Sequence, residues 1–286
     1  RWSPRAAVRG LAALSVLAAR GGAVDAAGEP WARRCTIRRL FANESLPAQL
    51  PRTAEPYILA LPPGHNADMA ERLGREALLA DMGDVTCTPS QAGSVRKGIE
   101  YMPLREYIET WMGRPVSRNA EENRYVFGEF GEQWAPLRDA YVRPPCDACA
   151  GHQAAVTIGL GGLHSGAPWH FHDAAFVEVL HGAKHFALLP PKHAAVREIS
   201  EQIQGVSMFH WHLHARPSLD ATGQLAGLQE CVLRPGELLY SPDGWHHGVV
   251  NLEPHTAFVS TFLERAQDKA GASLPDIFPA LPVLAS

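Results

Sequence analysis

From residue 154 onward the chain is written in short apolar runs punctuated by glycine and proline: AAVTIGLGG (154–162), FVEVLHG (176–182), KHFALLPP (184–191), ECVLRPGELLYSP (230–242), HGVVNL (247–252) and TAFVSTFL (256–263). Runs this short, bounded by turn residues, predict strands buried on both faces. PWHFH (168–172) is predicted as one more. With no helical period between most of them, these segments predict a closed barrel or a sandwich. Residues 192–229 read as a long insertion, partly helical at best. Upstream the pattern is mixed. EPYILAL (55–61) and RYVFGEFG (124–131) are strand candidates, and 66–84 carries apolar residues at helical spacing up to Met82-Gly83. Residues 102–113 repeat that spacing, with Leu104, Tyr107, Ile108 and Trp111 on one face. The division that follows is a leader over 1–29, one domain over 30–265 (a mixed part to 150, a core barrel from 151) and a peripheral tail over 266–286.

Composition narrows the class. With 46% apolar residues in 286 and 48 Gly plus Pro, the chain can bury a sizeable core, and collagen, coiled coil and wholesale disorder are excluded. A net charge of −4 provides no electrostatic footprint for nucleic acid, so small molecules and proteins are the expected partners. Arg1, Arg5 and Arg9 precede the apolar stretch 11–19, the pattern of a secretory signal. A transit peptide or a disordered Ala/Arg-rich terminus are the competing readings. The stretch is too short to span a bilayer, and no membrane span is expected. Asn43-Glu44-Ser45 is a sequon for an N-glycan at Asn43. Five cysteines (35, 87, 146, 149, 231) are an odd number. Cys146 and Cys149 are placed for a local disulfide; zinc there would need more ligands than His152 supplies. The remaining pairing stays open.

Fourteen histidines make H-x-H pairs cheap, so spacing alone proves little. Context singles out His170 and His172: two apart on a strand, they share a face and can converge on one ion. His246 and His247 follow the Pro242-Asp243-Gly244 turn, at the start of a distant strand. The HWHLH run (210–214) lies in the insertion, where solvent-facing histidines are expected. Trp169 and Trp245 read as packing residues, and His181 and His185 as flanking the barrel outside.

His170-x-His172, then Gly182-x-Lys184 leading to Pro190-Pro191, then PGELLYSPDGWHH (235–247), in that order, resemble the JmjC family of the cupin superfamily, the Fe(II)- and 2-oxoglutarate-dependent oxygenases. The resemblance covers roughly residues 33–265. It implies a mainly β fold with flanking helices, a double-stranded β-helix (jelly-roll or cupin) barrel. It further implies a metal, Fe(II) or another divalent transition ion, on His170, His172 and His247. Lys184, one of only four lysines, matches the family's anchor for 2-oxoglutarate, and Thr261 matches loosely a polar contact to it. The family's middle ligand is a carboxylate where this chain has His172, and Ala167 stands where a small polar residue is common. Asp173 should face away from the site, and Glu178 is expected at the surface or between sheets. The function implied is hydroxylation of a protein side chain, or, with the chemistry lost, a lumenal module that binds a protein partner. The wording of RRCTIRR (33–39) and GAPWHFH (166–172) is similar to a family member of the endoplasmic reticulum lumen, in agreement with the leader.

Overall fold

A computed structural model describes residues 30–41, 46, 48–91, 100–129, 131–146, 156–196, 199 and 205–263. The leader, the Asn43 sequon, Cys149, His152 and the tail lie outside the described residues. Thirteen strands occur among them: β1 (Arg38–Phe41), β2 (Tyr57–Ala60), β3 (Thr86–Cys87), β4 (Ser90–Gln91), β5 (Met102–Pro103), β6 (Arg124–Glu129), β7 (Val156–Gly161), β8 (Ala175–His181), β9 (Lys184–Leu189), β10 (Gln229–Leu233), β11 (Glu237–Ser241), β12 (His246–Asn251) and β13 (Thr256–Phe262). Eight form one sheet in the order β1-β2-β11-β8-β13-β7-β6-β4, and three form a second, β10-β9-β12. All pairings are antiparallel except β1 with β2.

The two sheets face each other as a jelly roll. Val177, Val179, Leu239 and Phe258 of the large sheet meet Phe186, Leu188 and Val249 of the small one inside. Burying side chains of this size is worth about 1.5–3 kcal/mol each. Register is fixed because a slip by one residue would turn each set outward and drive Glu178 and His185 into the interior.

Helices cover the outer faces. The single helix predicted over 66–84 is two, Ala67–Arg72 and Arg75–Asp81, broken at Leu73-Gly74. Two side chains from the sheet edge explain the break: His181 Nε2 bonds the Ala70 carbonyl, and His255 Nε2 the Leu73 carbonyl at 2.9 Å. They satisfy acceptors that a continuing helix would have used. Residues 104–111 form a short helix passing into a π-helical turn, and Tyr107 from it donates to the Leu160 carbonyl (3.1 Å).

The insertion is helical from Met208 to Ala221, with a π-helical turn over Trp211–Ala215, and it packs on the outer face of β9 and β12. Here the expectation for HWHLH needs correction. His214 is exposed, but His212 is buried, stacked on Trp31 at 4.0 Å. Arg216 bonds His212 Nδ1 at 3.1 Å and clamps Glu230 with two 2.7 Å bonds. His185, outside the barrel as expected, reaches the same carboxylate at 3.2 Å. Cys35 is bridged to Cys231. Cys146 is disulfide-bonded, and Cys87 is a buried thiol.

Glu178 also departs from expectation. It lies on the outer face of β8 but is only 1% exposed, closed over by the helical layer, where Asn66 Nδ2 donates to it at 2.8 Å. Burial pushes its carboxyl up to about 7, against hydrogen bonds from Asn66 and Tyr141. The folded state therefore holds this proton more tightly than the unfolded chain. Stability is full below the ordinary value near 4.5 and falls as pH rises toward 7, by about 3 kcal/mol in all. Glu178→Gln, which keeps an acceptor for Asn66, is expected to raise the melting temperature at pH 8 and to leave it nearly unchanged at pH 4.5. A parallel loss at both values would contradict the buried-proton account.

Candidate metal centre

The segment expected as a strand at 168–172 is a bulged edge beside β12. Val249 N bonds Ala167 O (3.0 Å) and Asn251 N bonds Ser165 O (2.7 Å), but His247 exchanges both of its bonds with His170 (2.8 and 2.9 Å). Regular pairing would place Trp169 opposite His247, so one extra residue is accommodated at Pro168-Trp169, where proline has no N–H to give. The bulge sends Trp169 outward against Trp211 (5.2 Å) and brings His170 in. Alternation then carries His172 to the same side and leaves Phe171 64% exposed.

His170, His172 and His247 converge, with one ring nitrogen of each lying within 4.8 Å of the others. Each Nδ1 faces a backbone carbonyl: Pro168 at 2.7 Å, Asp173 at 2.6 Å and Trp245 at 2.9 Å. A carbonyl only accepts, so each Nδ1 carries the proton and each Nε2 keeps its lone pair for an ion. Burial, then the neighbouring His172, lowers His170 to about 4. Burial likewise lowers His172, and burial together with the other two rings takes His247 well below its ordinary value. Proton competition for the lone pairs is thus absent at neutral pH. Among the described residues no carboxylate joins the cluster. The hydrogen bond to the Asp173 carbonyl and the charges of Asp173 and Asp243 raise His172 against burial. Three neutral imidazoles with open positions fit a divalent transition ion, and on donor softness they favour Zn(II), Ni(II) or Cu(II) over Fe(II).

The triad opens into a cavity of about 360 Å³, mouth included, whose lining includes Tyr125, Phe127, Lys184, Phe186, Phe258 and Ser260. Lys184 is 1% exposed and donates to Tyr125 Oη (2.7 Å) and Asn251 Oδ1 (3.0 Å), with Nζ 4.1 Å from the Phe258 ring centre. Among the described residues no carboxylate pairs with it, and burial depresses its amine well below the ordinary lysine value. A buried ammonium with only neutral partners fits a ligand that brings its own negative charge.

Thr261 is not part of this cavity, a correction to the sequence reading. On β13 Phe258, Ser260 and Phe262 point inward, Phe262 lying 5.0 Å from the His172 ring. Thr261 is turned to the opposite face with Val259, toward Tyr141. Ser260 lines the cavity in its place. Tyr125 was not anticipated either, although its position in RYVFGEF marks it as a strand residue two before Phe127, which also lines the cavity. Trp245 packs as expected, its Nε1 donating to the Ala54 carbonyl at 3.1 Å.

Comparison with known proteins agrees with this architecture. Residues 83–269 match the family described as a cupin-like domain. The chain is 32% identical over 200 residues to JmjC domain-containing protein 8 of Rattus norvegicus, covering 69% of this chain and 71% of the relative. It is 31% identical over 191 residues to the Homo sapiens protein of that name, covering 66% and 69%. A shorter similarity, 31% over 147 residues, covers 48% of this chain and 14% of Lysine-specific demethylase JMJ21 of Arabidopsis thaliana. A jelly roll whose two sheets enclose a histidine triad, with the family model matched over residues 83–269 and a JmjC relative 32% identical over 69% of the chain, identifies the chain as a member of the JmjC family of cupin-like proteins.

Proposed function

We propose that the protein is a metal- and 2-oxoglutarate-dependent oxygenase that hydroxylates a side chain of a protein substrate in the lumen of the secretory pathway. The observation that carries this reading is the coincidence, in one cavity, of three imidazoles sharing a focus and a buried lysine that no carboxylate among the described residues pairs. When bound, a ferrous ion on the triad with 2-oxoglutarate beside it would activate dioxygen, the oxidant, one oxygen atom going to the substrate and the other into succinate as carbon dioxide leaves. His170, His172 and His247 hold the ion through Nε2, their rings fixed by the carbonyls of Pro168, Asp173 and Trp245. Lys184 and the Tyr125 hydroxyl receive the far carboxylate. Phe127, Phe186, Val249 and Phe258 keep water from that ion pair, which strengthens it. The similarity to Lysine-specific demethylase JMJ21 of Arabidopsis thaliana supports a protein substrate. The leader pattern, the Asn43 sequon and the Cys35–Cys231 disulfide support an oxidising lumen. Among the described residues no helix is long and apolar enough to cross a membrane.

His172 in the middle ligand position favours a second reading, a barrel that binds a protein partner without turnover. One assay separates them. With Fe(II), ascorbate and lumenal protein fractions, succinate is expected to form from 2-oxoglutarate, and His247→Ala is expected to abolish it. Retained metal binding with no succinate above the His247→Ala background would select the second reading.

A further inference from the structure

The two sulfurs of the Cys35–Cys231 bridge lie in unlike surroundings. Cys35 is exposed, between the 3₁₀ turn Pro30–Arg33 and β1. Cys231 is 1% exposed, within β10 and opposite Phe186 of β9. One guanidinium reaches both: Arg39 Nε lies 3.4 Å from Cys35 Sγ, and Arg39 Nη2 lies 3.2 Å from Cys231 Sγ. Its third nitrogen, Nη1, is held by Glu237, which also accepts from the Arg234 backbone N–H at 2.8 Å. Arg234 carries a second positive charge close by, so two cations face one carboxylate around the bridge.

A disulfide sulfur is neutral and a weak acceptor, so this placement does little for the oxidised bond. A thiolate would gain a great deal from it. Partial exposure decides which sulfur an incoming nucleophile can reach, and the cation decides which one leaves easily.

We propose that Cys35–Cys231 is a thiol–disulfide exchange site for a protein dithiol, in which Cys35 is the sulfur attacked and Cys231 the leaving thiolate received by Arg39. A thiolate of the dithiol bonds to Cys35 Sγ while the Cys35–Cys231 bond breaks, and the electron pair stays on Cys231 Sγ. The second thiol of the dithiol, losing its proton, then attacks its own neighbour's sulfur in the mixed disulfide and expels Cys35 as a thiolate that solvent protonates. The chain gains two electrons, and the dithiol ends as a disulfide. The outcome is to uncouple residues 30–41 covalently from β10. Their remaining ties there include the two bonds between Thr36 and Glu230, at 2.8 and 2.9 Å.

The test uses the full oxidised chain. Reduced glutathione, a monothiol that stalls at the first step, is expected to be found by mass spectrometry on Cys35 after acid quench. Dithiothreitol is expected to reduce the bridge in the native protein, and Arg39→Met to slow that reduction about fivefold at neutral pH, with Arg39→Lys recovering most of the rate. A merely structural Arg39 predicts the opposite sign, because loosening the segment would speed reduction. Glutathione on Cys231, a bridge reducible only in denaturant, or an Arg39→Met variant reduced as fast as or faster than the parent would each overturn the proposal. The glutathione position is read on the unaltered chain and so stands even if the variant fails to fold.

Discussion

Lys184→Met is expected to make the protein about 2 kcal/mol more stable and to weaken 2-oxoglutarate binding by about a hundredfold or more. The two effects have one cause. Lys184 is an ammonium 1% exposed, held by a phenol, an amide oxygen and aromatic faces, with no anion beside it among the described residues. Keeping an unpaired charge there costs several kcal/mol even after relaxation. Methionine fills nearly the same volume at no such cost, at the expense of the bonds that Lys184 donates to Tyr125 Oη and Asn251 Oδ1, about 1–3 kcal/mol. The net gain is what remains. The pH dependence has a definite sign. Burial depresses the folded-state amine below its unfolded value near 10.5, so the folded chain sheds this proton first. Parent stability therefore rises with pH between the depressed value and 10.5, and the variant should lack that slope. Urea unfolding at pH 7 and pH 9.5, with a calorimetric titration of 2-oxoglutarate, reads both effects. A variant less stable than the parent at pH 7 would mean that the ammonium is compensated in the parent, and the anion-receptor argument would fail.

How far the sequence carried this far is decided by parity. On β9, Lys184 and Phe186 face the cavity, whereas His185 faces outward and meets the Arg216–Glu230 pair. The glycine before Lys184 and the prolines after Leu189 set that strand's ends, and with them which residues face in. β13 has no such contrast: Ala257, Phe258, Val259, Ser260 and Thr261 are all buried, one set facing the cavity and the other the helical layer. A strand buried on both faces shows no alternation to read, and a choice between Ser260 and Thr261 was beyond its pattern. The triad itself was legible for a partly wrong reason. His170 and His172 do share a side, but the bulge at Pro168-Trp169, not a regular strand, selects which side. Burial of His212 depended on Trp31, nearly two hundred positions away, and the same distance hid the partner of Cys35.

His172→Asp is expected to shift the metal preference by about tenfold or more from Cu(II) and Zn(II) toward Mn(II) and Fe(II), and to make binding far more sensitive to acid. In the parent burial lowers all three rings, and neighbouring rings add to this at His170, which lies at about 4 with His172 the next cause after burial, and at His247. Protons therefore compete with an ion for His170 only near that value, and His247 is likewise held well below its ordinary value. A carboxylate at 172 removes one depressing ring and adds a negative charge, so both remaining histidines move back toward their ordinary value of 6.5. Binding by the variant should then weaken at a higher pH on acidification than binding by the parent, burial still holding both histidines below their ordinary value. Competitive titration of Mn(II) against Zn(II) across pH 5–8 reads preference and proton linkage together. An unchanged preference would mean that position 172 does not ligate, and the triad would reduce to His170 and His247. If the same variant also released more succinate than the parent, the imidazole at 172 would be what restrains catalysis, and the partner-binding reading would gain over the oxygenase. If succinate instead fell while the ion was retained, the three-histidine set would be the one the cavity is built to use, since Asp173 and Asp243 already place negative charge around His172 without touching the ion's position.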